Sequence, residues 1–324
     1  MNARRRPWRR ALVTVLAASG LALGAAAAAA APGQPDTSQP DTSQPAAAQA
    51  VRASVAGKAA ATCDPSRSSL RPSGPPQVTS GSFMAKIRAR GYLIAGVDQS
   101  TYHFGFLNPL TNQIEGFDID VIQAVAKAIF GHADATTIHY KAISDAQRIP
   151  DILSGAVDIV AHTMTITCDR LQSVDFSAVY FEAHQKVLVL KNSAATSLAS
   201  LRGQKVCATS GSDSLERIAA VKATGVAVPY WTDCLVLLQQ GDVAAISTDD
   251  SILDGLAAQD PYTKLIGGKL TNEPYGLAIS KQHPEFVRFV NAVLTQYESD
   301  GQWKASYQHW LGPSPGPPPL QYAS

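Results

Sequence analysis

The chain has 324 residues, 45% of them hydrophobic and 16% charged, which is ordinary globular composition and enough length for two domains. Its formal charge of +1 hides an asymmetry: five arginines sit in the acid-free opening MNARRRPWRRALVTVLAASGLALGAAAAAAA, and without it 22 basic residues face 26 acidic ones. No basic surplus remains to favour nucleic acid or an anionic membrane as a partner.

The opening segment, 1–31, has a basic stretch from Arg4 to Arg10, an apolar stretch from Ala11 and a run of alanines up to Ala31. That is the plan of a secretory signal peptide with an A-x-A-type cleavage site. An uncleaved anchor would need about twenty apolar residues. Alanine is weakly apolar and small residues are what the peptidase requires, so cleavage is expected. No cysteine ends the apolar stretch, and Cys63 lies too far on, behind Ala60-Ala61-Thr62 with no leucine, so a lipid anchor is not expected. The protein is expected to be secreted or held at the cell surface. Residues 32–67 read as a disordered linker: the repeat QPDTSQPDTSQP gives way to Ala, Ser and Gly, which bury too little to order themselves.

The folded part runs from about Ser68 to Leu311, followed by a proline-rich tail, 313–324. GYLIAGV (91–97) predicts a strand, and GFDIDVIQAVAKAIFG (116–131) a helix with Ile119, Ile122, Val125, Ala126 and Ile129 on one face. TIHYKAI predicts a strand, AQRIPDILSGAV a helix and DIVAHTMTIT a strand. After the extended VYFEAHQKVLVLKN the pattern restarts: strand KVCATS (205–210), a helix from Asp213, strand VAVPY, a helix from Asp233 to Gln240, strand DVAAIST, a further helix and KLIGG. Strands alternating with helices predict α/β sheets, and two such units predict two lobes. In open α/β sheets ligands lie beyond the carboxyl ends of the strands, so a cleft between the lobes is the expected site. Thr163, Thr165 and Thr167 would share one side of an extended chain there, with Arg170 within a turn of them.

The four cysteines, 63, 168, 207 and 234, read as two disulfides in an exported chain, and with no C-x-x-C pair zinc is disfavoured. Three connectivities are possible. Cys63 with Cys168 and Cys207 with Cys234 is preferred, because the second pair falls inside one lobe. Its loop would add roughly 3–4 kcal/mol of stability on the chain-entropy model.

GFDIDVIQAVAKAIFG, QRIPDILSGAVDIVAHTMTITCDRLQSVDFSAVYF, STDDSIL, EPYGLAISK and SDGQWKASYQHWLG occur in that order between residues 82 and 312. Together they resemble the amino-acid-binding proteins of ABC importers, solute-binding protein family 3, and most of all the actinobacterial GlnH group of glutamate, aspartate and glutamine binders. The resemblance implies a periplasmic-binding-protein-like (type II) clamshell, with two mixed, mainly parallel sheets joined by two hinge strands. Lobe 1 would comprise 68–186 and return over 272–312, with lobe 2 as 187–271. A monomer that delivers an amino acid to the permease subunits, with no cofactor, is what the family implies.

Carried over residue by residue, the resemblance puts Arg170 on the ligand α-carboxylate, which a guanidinium can fork bidentately, with the Thr165 hydroxyl in support. It puts the Thr163 carbonyl on the α-ammonium and Asp249 opposite it, with Asp250 as the rival that alternation would turn away. TSGSDS, holding Thr209, Ser212 and Asp213, matches a serine- and glycine-rich turn opening a helix, where N–H groups attract a carboxylate and Asp213 would act through its backbone. Each of these has a plainer reading, as a surface arginine or a simple helix cap. Arg148, before Ile-Pro, stands where the glutamate and aspartate binders carry an arginine, so glutamate or aspartate is expected ahead of glutamine or asparagine. Tyr102 or Phe104 would form the apolar wall, and Asp98 would line the cleft, repelling an acidic ligand unless paired with Arg148.

Enzyme motifs are missing from the sequence: there is no G-x-S-x-G or H-E-x-x-H, and the seven histidines are scattered. A dehydratase-like enzyme on the same fold and a sensor that reports amino-acid availability to a membrane partner are the alternatives to a transport binder.

Overall fold

The computed structural model describes residues 63–323; the expected signal peptide and the linker up to residue 62 lie outside the described residues. The first lobe opens with helix α1 (Phe83–Arg90) and strand β1 (Leu93–Val97), followed by short strands β2 (Ser100–Thr101), β3 (Gly105–Asn108) and β4 (Gln113–Glu115). Helix α2 (Phe117–Phe130) buries the predicted face, Ile119, Ile122, Val125, Ala126 and Ile129, and ends at Gly131, whose φ of 88° only glycine adopts without strain. Burying each of the isoleucine and valine side chains contributes about 1.5–3 kcal/mol. Strand β5 (Ile138–Ala142), helix α3 (Arg148–Ser154), strand β6 (Ile159–Ala161), the one-turn helix α4 (Arg170–Ser173) and strand β7 (Asp175–Phe176) complete this part.

Strand β8 (Phe181–Ala183) carries the chain to the second lobe: β9 (Gln185–Leu190), β10 (Lys205–Thr209), α5 (Ser214–Ala220), β11 (Thr224–Val228), α6 (Trp231–Gln240), β12 (Ala245–Asp249), α7 (Asp250–Gln259) and β13 (Thr263–Ile266). Strand β14 (Glu273–Tyr275) returns antiparallel to β8, and β15 (Ala278–Ile279), α8 (Pro284–Ser299) and α9 (Gln302–Leu311) rejoin the first lobe.

The first sheet has the order β5-β1-β6-β15-β7 and the second β11-β10-β12-β9-β13. Both are parallel on one side and antiparallel on the other, because the return strand β15 and the entry strand β9 run against their neighbours. Each sheet has its own apolar core. The molecule is thus an α/β, type II two-lobed clamshell, with β8 and β14 as the crossing pair.

Three expectations need correction. The strand expected over DIVAHTMTIT stops at Ala161, because Thr163 turns left-handed (φ 43°), and the three threonines therefore do not share one side of an extended chain. The helix expected from Asp233 starts at Trp231, since Asp233 reaches back to the Tyr230 N–H at 3.2 Å rather than capping from outside. The linker expected over 32–67 is ordered from Cys63, where a disulfide to Cys168 and the Pro65–Arg67 turn fix it. The β2–β3–β4 meander is an addition, its strands too short for any alternation to register in the sequence.

Both disulfides join the preferred partners, Cys63–Cys168 and Cys207–Cys234. The second staples α6 to β10 with both cysteines fully buried. The proline-rich segment does not leave the fold at Leu311: Leu320 packs on the first core, Tyr322 lies under Arg71 at 5.3 Å, and the Ala323 N–H donates to the Ser69 carbonyl at 2.8 Å. Among the described residues no helix is long and apolar enough to cross a membrane.

Candidate functional site

The segment from His162 to Asp169 has no regular structure of its own, so its shape is set by what surrounds it. The Thr163 N–H donates to the Asp118 carboxylate at 2.7 Å, and that carboxylate also accepts from the Tyr180 hydroxyl at 2.6 Å. The Ile166 N–H donates to the Pro274 carbonyl of hinge strand β14, and Thr165 bridges Tyr275. Arg170 closes the turn: its Nη1 donates to the Thr165 carbonyl at 2.7 Å, so the two residues meet through the backbone rather than the Thr165 hydroxyl. The Cys63 disulfide fixes this segment at Cys168. Thr163 and Thr165 are buried, and the Thr163 hydroxyl has no hydrogen-bond partner among the described residues.

Arg170 and Arg148 converge on the second lobe, each donating from Nη2 to the Gly211 carbonyl at 3.3 Å. Arg170 also stands 3.6 Å from the Asp213 carboxylate, which sits 3.4 Å from Arg217. Asp213 therefore faces the cleft with its side chain and not only with its backbone; it makes no capping bond to α5. Ser212 donates to the Thr209 carbonyl at 2.8 Å, and the Thr209 hydroxyl donates across the cleft to Asp145. The lobes are closed on one another at this point.

Asp249 ends β12 and is buried, accepting from the Tyr275 hydroxyl at 2.6 Å. Asp250 turns elsewhere, accepting from the backbone of His184 and Ser251 and lying within 4 Å of His184 and Lys186. Glu273 of β14 pairs with Arg217 at 2.6 Å, so the hinge strand holds the second lobe by this ion pair and the cradle of the first lobe by its backbone.

Arg148 does not meet Asp98. Its Nη1 pairs with Asp145 at 2.8 Å and donates to the His162 carbonyl, while Nε donates to the Asp145 carbonyl. Asp98 is satisfied within its own turn by the N–H groups of Gln99 and Ser100 and the hydroxyls of Ser100 and Thr101. Tyr102 is half-buried, with its ring against His103 and Phe106 and its backbone against Gly255 of α7, so it lies where the lobes touch. Phe104 is a core residue rather than a cleft wall: it is fully buried between Phe117, Phe181 and Tyr275.

Four buried polar residues at this site escape a reading of the sequence. Asp118 fixes the Thr163 turn, Asp145 holds Arg148 and Thr209, and Tyr275 orients Asp249. His162 lies 3.4 Å from Asp145, and its Nε2 donates to the Ile143 carbonyl at 2.9 Å. The one available signal is an acid, Asp118, in the first turn of a helix that is otherwise apolar on that side.

Burial, and then Asp213 and Glu273 nearby, push the Asp249 carboxyl well above the usual carboxylate range. An ammonium placed against it would reverse that. Burial pushes the Asp145 carboxyl up, but Arg148 and then His162 outweigh it and leave it below its ordinary value. Burial, and then Arg148, lower the Arg170 guanidinium. Burial drives Asp118 up to about 6. A carboxyl raised in the fold binds its proton more tightly folded than unfolded, so its contribution to stability grows as pH falls through about 6 and is lost above it. Comparing urea unfolding at pH 7.5 and 5.5, Asp118→Asn is expected to lose an acid-side gain on the order of 1 kcal/mol that the parent shows. An unchanged pH dependence would refute that role for Asp118.

Residues 93–313 match the model of the bacterial extracellular solute-binding proteins, family 3. The ABC transporter glutamine-binding protein GlnH of Bacillus subtilis is 37% identical over 235 residues, 72% of this chain and 85% of that protein. The glutamate-binding protein GluB of Corynebacterium efficiens is 31% identical over 68% of this chain and 79% of its own. Among solved structures, an ancestral arginine-binding protein bound to glutamine superposes with a TM-score of 0.64 at 32% identity, covering 69% of this chain and 99% of that one. These relatives are binding proteins and not enzymes, and the chain belongs to the bacterial extracellular solute-binding proteins of family 3, the amino-acid binders of ABC importers.

Proposed function

We propose that this protein captures glutamine between its lobes and delivers it to the membrane subunits of an ABC importer. Arg170 would take the α-carboxylate and Asp249, with the Thr163 carbonyl, the α-ammonium. Thr165, Thr209, Ser212 and Asp213 would line the closing face, with Tyr102 at the rim. The sequence alone favours glutamate or aspartate, and Arg148 carries that preference. The observation that moves the reading to an amide is the Arg148–Asp145 pair at 2.8 Å, both side chains buried. A guanidinium so paired, with three backbone carbonyls also on it, has little net charge left for a second carboxylate. Asp213 and Asp249 on the facing lobe and Glu273 on the hinge strand outnumber Arg217 beside them, which opposes an acidic side chain and leaves a neutral one indifferent. The Bacillus subtilis relative named for glutamine supports the same choice.

Calorimetry with glutamine, asparagine, glutamate, aspartate and arginine tests it. Glutamine is expected to bind at least tenfold more tightly than glutamate or aspartate, a difference of about 1.4 kcal/mol. Tenfold preference for either acid would return Arg148 to the role that the sequence suggests. Delivery is tested by capture of permease subunits, expected to depend on bound ligand.

A further inference from the structure

A groove of about 770 Å³ lies against the hinge, bounded by β8 and His184, by α7 of the second lobe, by α9 and by Pro315–Pro319. That volume is within the range of small-molecule sites, about 300–1,000 Å³. Its wall is aromatic: Phe181 stacks on Tyr307 at 6.0 Å and Tyr307 on Trp303 at 5.0 Å, with Trp310 beside them. Its charge is acidic, from Glu182, Asp250 and Asp254, against Lys269. Asp250 is engaged by His184 at 3.7 Å and Lys186 at 3.8 Å, and the Lys269 ammonium sits 3.2 Å from the His184 ring. Glu182 and Asp254 are exposed carboxylates with no ion-pair partner among the described residues.

We propose that this groove is a second ligand site, for a small organic dication of the alkyl diamine class. Two ammonium groups would meet Glu182 and Asp254, and the apolar chain between them would lie along the aromatic wall. Anions are opposed by the same carboxylates. The groove takes residues from both lobes and the hinge, so its occupant would bias lobe closure. A direct connection exists: Ser251, on the groove wall, shares a hydrogen bond of 2.8 Å with the Tyr275 hydroxyl, which donates to Asp249 at 2.6 Å. This coupling rests on the amino-acid site proposed above; diamine binding itself does not.

Titration of the full chain with cadaverine, followed by calorimetry and by the fluorescence of Trp303 and Trp310, is expected to saturate, while uncharged pentanediol does not bind. Asp254→Asn and Glu182→Gln, both at exposed positions, should each weaken cadaverine about tenfold without changing the melting temperature. Absence of saturation, equal binding of the diol, or parental affinity in both variants would overturn the site. At saturating cadaverine the amino-acid Kd is expected to shift about fivefold or more, and Ser251→Ala to abolish the shift. An unchanged Kd while cadaverine binds overturns the coupling alone, and loss of amino-acid binding with cadaverine binding intact overturns the amino-acid reading alone.

Discussion

Arg170→Ala is expected to weaken amino-acid binding by roughly 100- to 10,000-fold while leaving the fold standing. Two hydrogen bonds from a guanidinium to a carboxylate contribute about 1.5–3 kcal/mol each, and every 1.4 kcal/mol is about tenfold in affinity. The side chain is 10% exposed and already oriented by the Thr165 carbonyl, so little ordering is lost when it grips a ligand. Its removal does not strand Asp213, which keeps Arg217 at 3.4 Å. For that reason thermal unfolding without ligand should change little, whereas the rise in melting temperature that ligand produces should vanish. Arg170→Lys should recover only a minor part, since an ammonium cannot reproduce the fork. Parental affinity in Arg170→Ala by calorimetry would remove the whole pocket assignment.

The α/β alternation, the helix face from Ile119 to Ile129 and both cysteine pairs were legible because each rests on local periodicity or on parity within a lobe. The shape of the binding segment was not. Alternating threonines from 163 to 167 suggest a strand, yet Thr163 is left-handed because the buried Asp118, 45 residues earlier, draws its N–H inward. Nothing local in TMTIT records that partner. Phe104 fails as a cleft wall for a similar reason: the residues that enclose it, Phe117, Phe181 and Tyr275, come from a helix and two hinge strands that meet only in the fold.

Arg148 shows the same limit applied to function. The sequence offers a guanidinium before Ile-Pro and, three residues earlier, an Asp whose direction it does not fix. In the fold Asp145 points back at Arg148 and forward to Thr209 of the other lobe, so one carboxylate both neutralises the cation and ties the lobes together. Ligand charge preference therefore depends on a pair and not on either member.

Gly211→Ala is expected to lower amino-acid affinity by roughly 30- to 1,000-fold through closure alone. Gly211 has φ 86°, and a Cβ there would stand 2.7 Å from the Cα of Ala146 and 2.8 Å from its nitrogen, both backbone atoms of the opposite lobe. Such contacts cannot relax by a rotamer change, so the lobes would have to part. Parting breaks the Thr209–Asp145 hydrogen bond and the two arginine bonds to the Gly211 carbonyl, together about 2–4 kcal/mol. The open form has no such clash, and the left-handed alanine itself costs only about 1–2 kcal/mol in either state. Small-angle scattering should thus show a protein that stays extended in millimolar amino acid, with an unliganded melting temperature lowered by a few degrees. Normal affinity and full compaction in this variant would mean that the contact of Gly211 with Ala146 is no part of the bound state, and that Arg170 meets its ligand in a different closure.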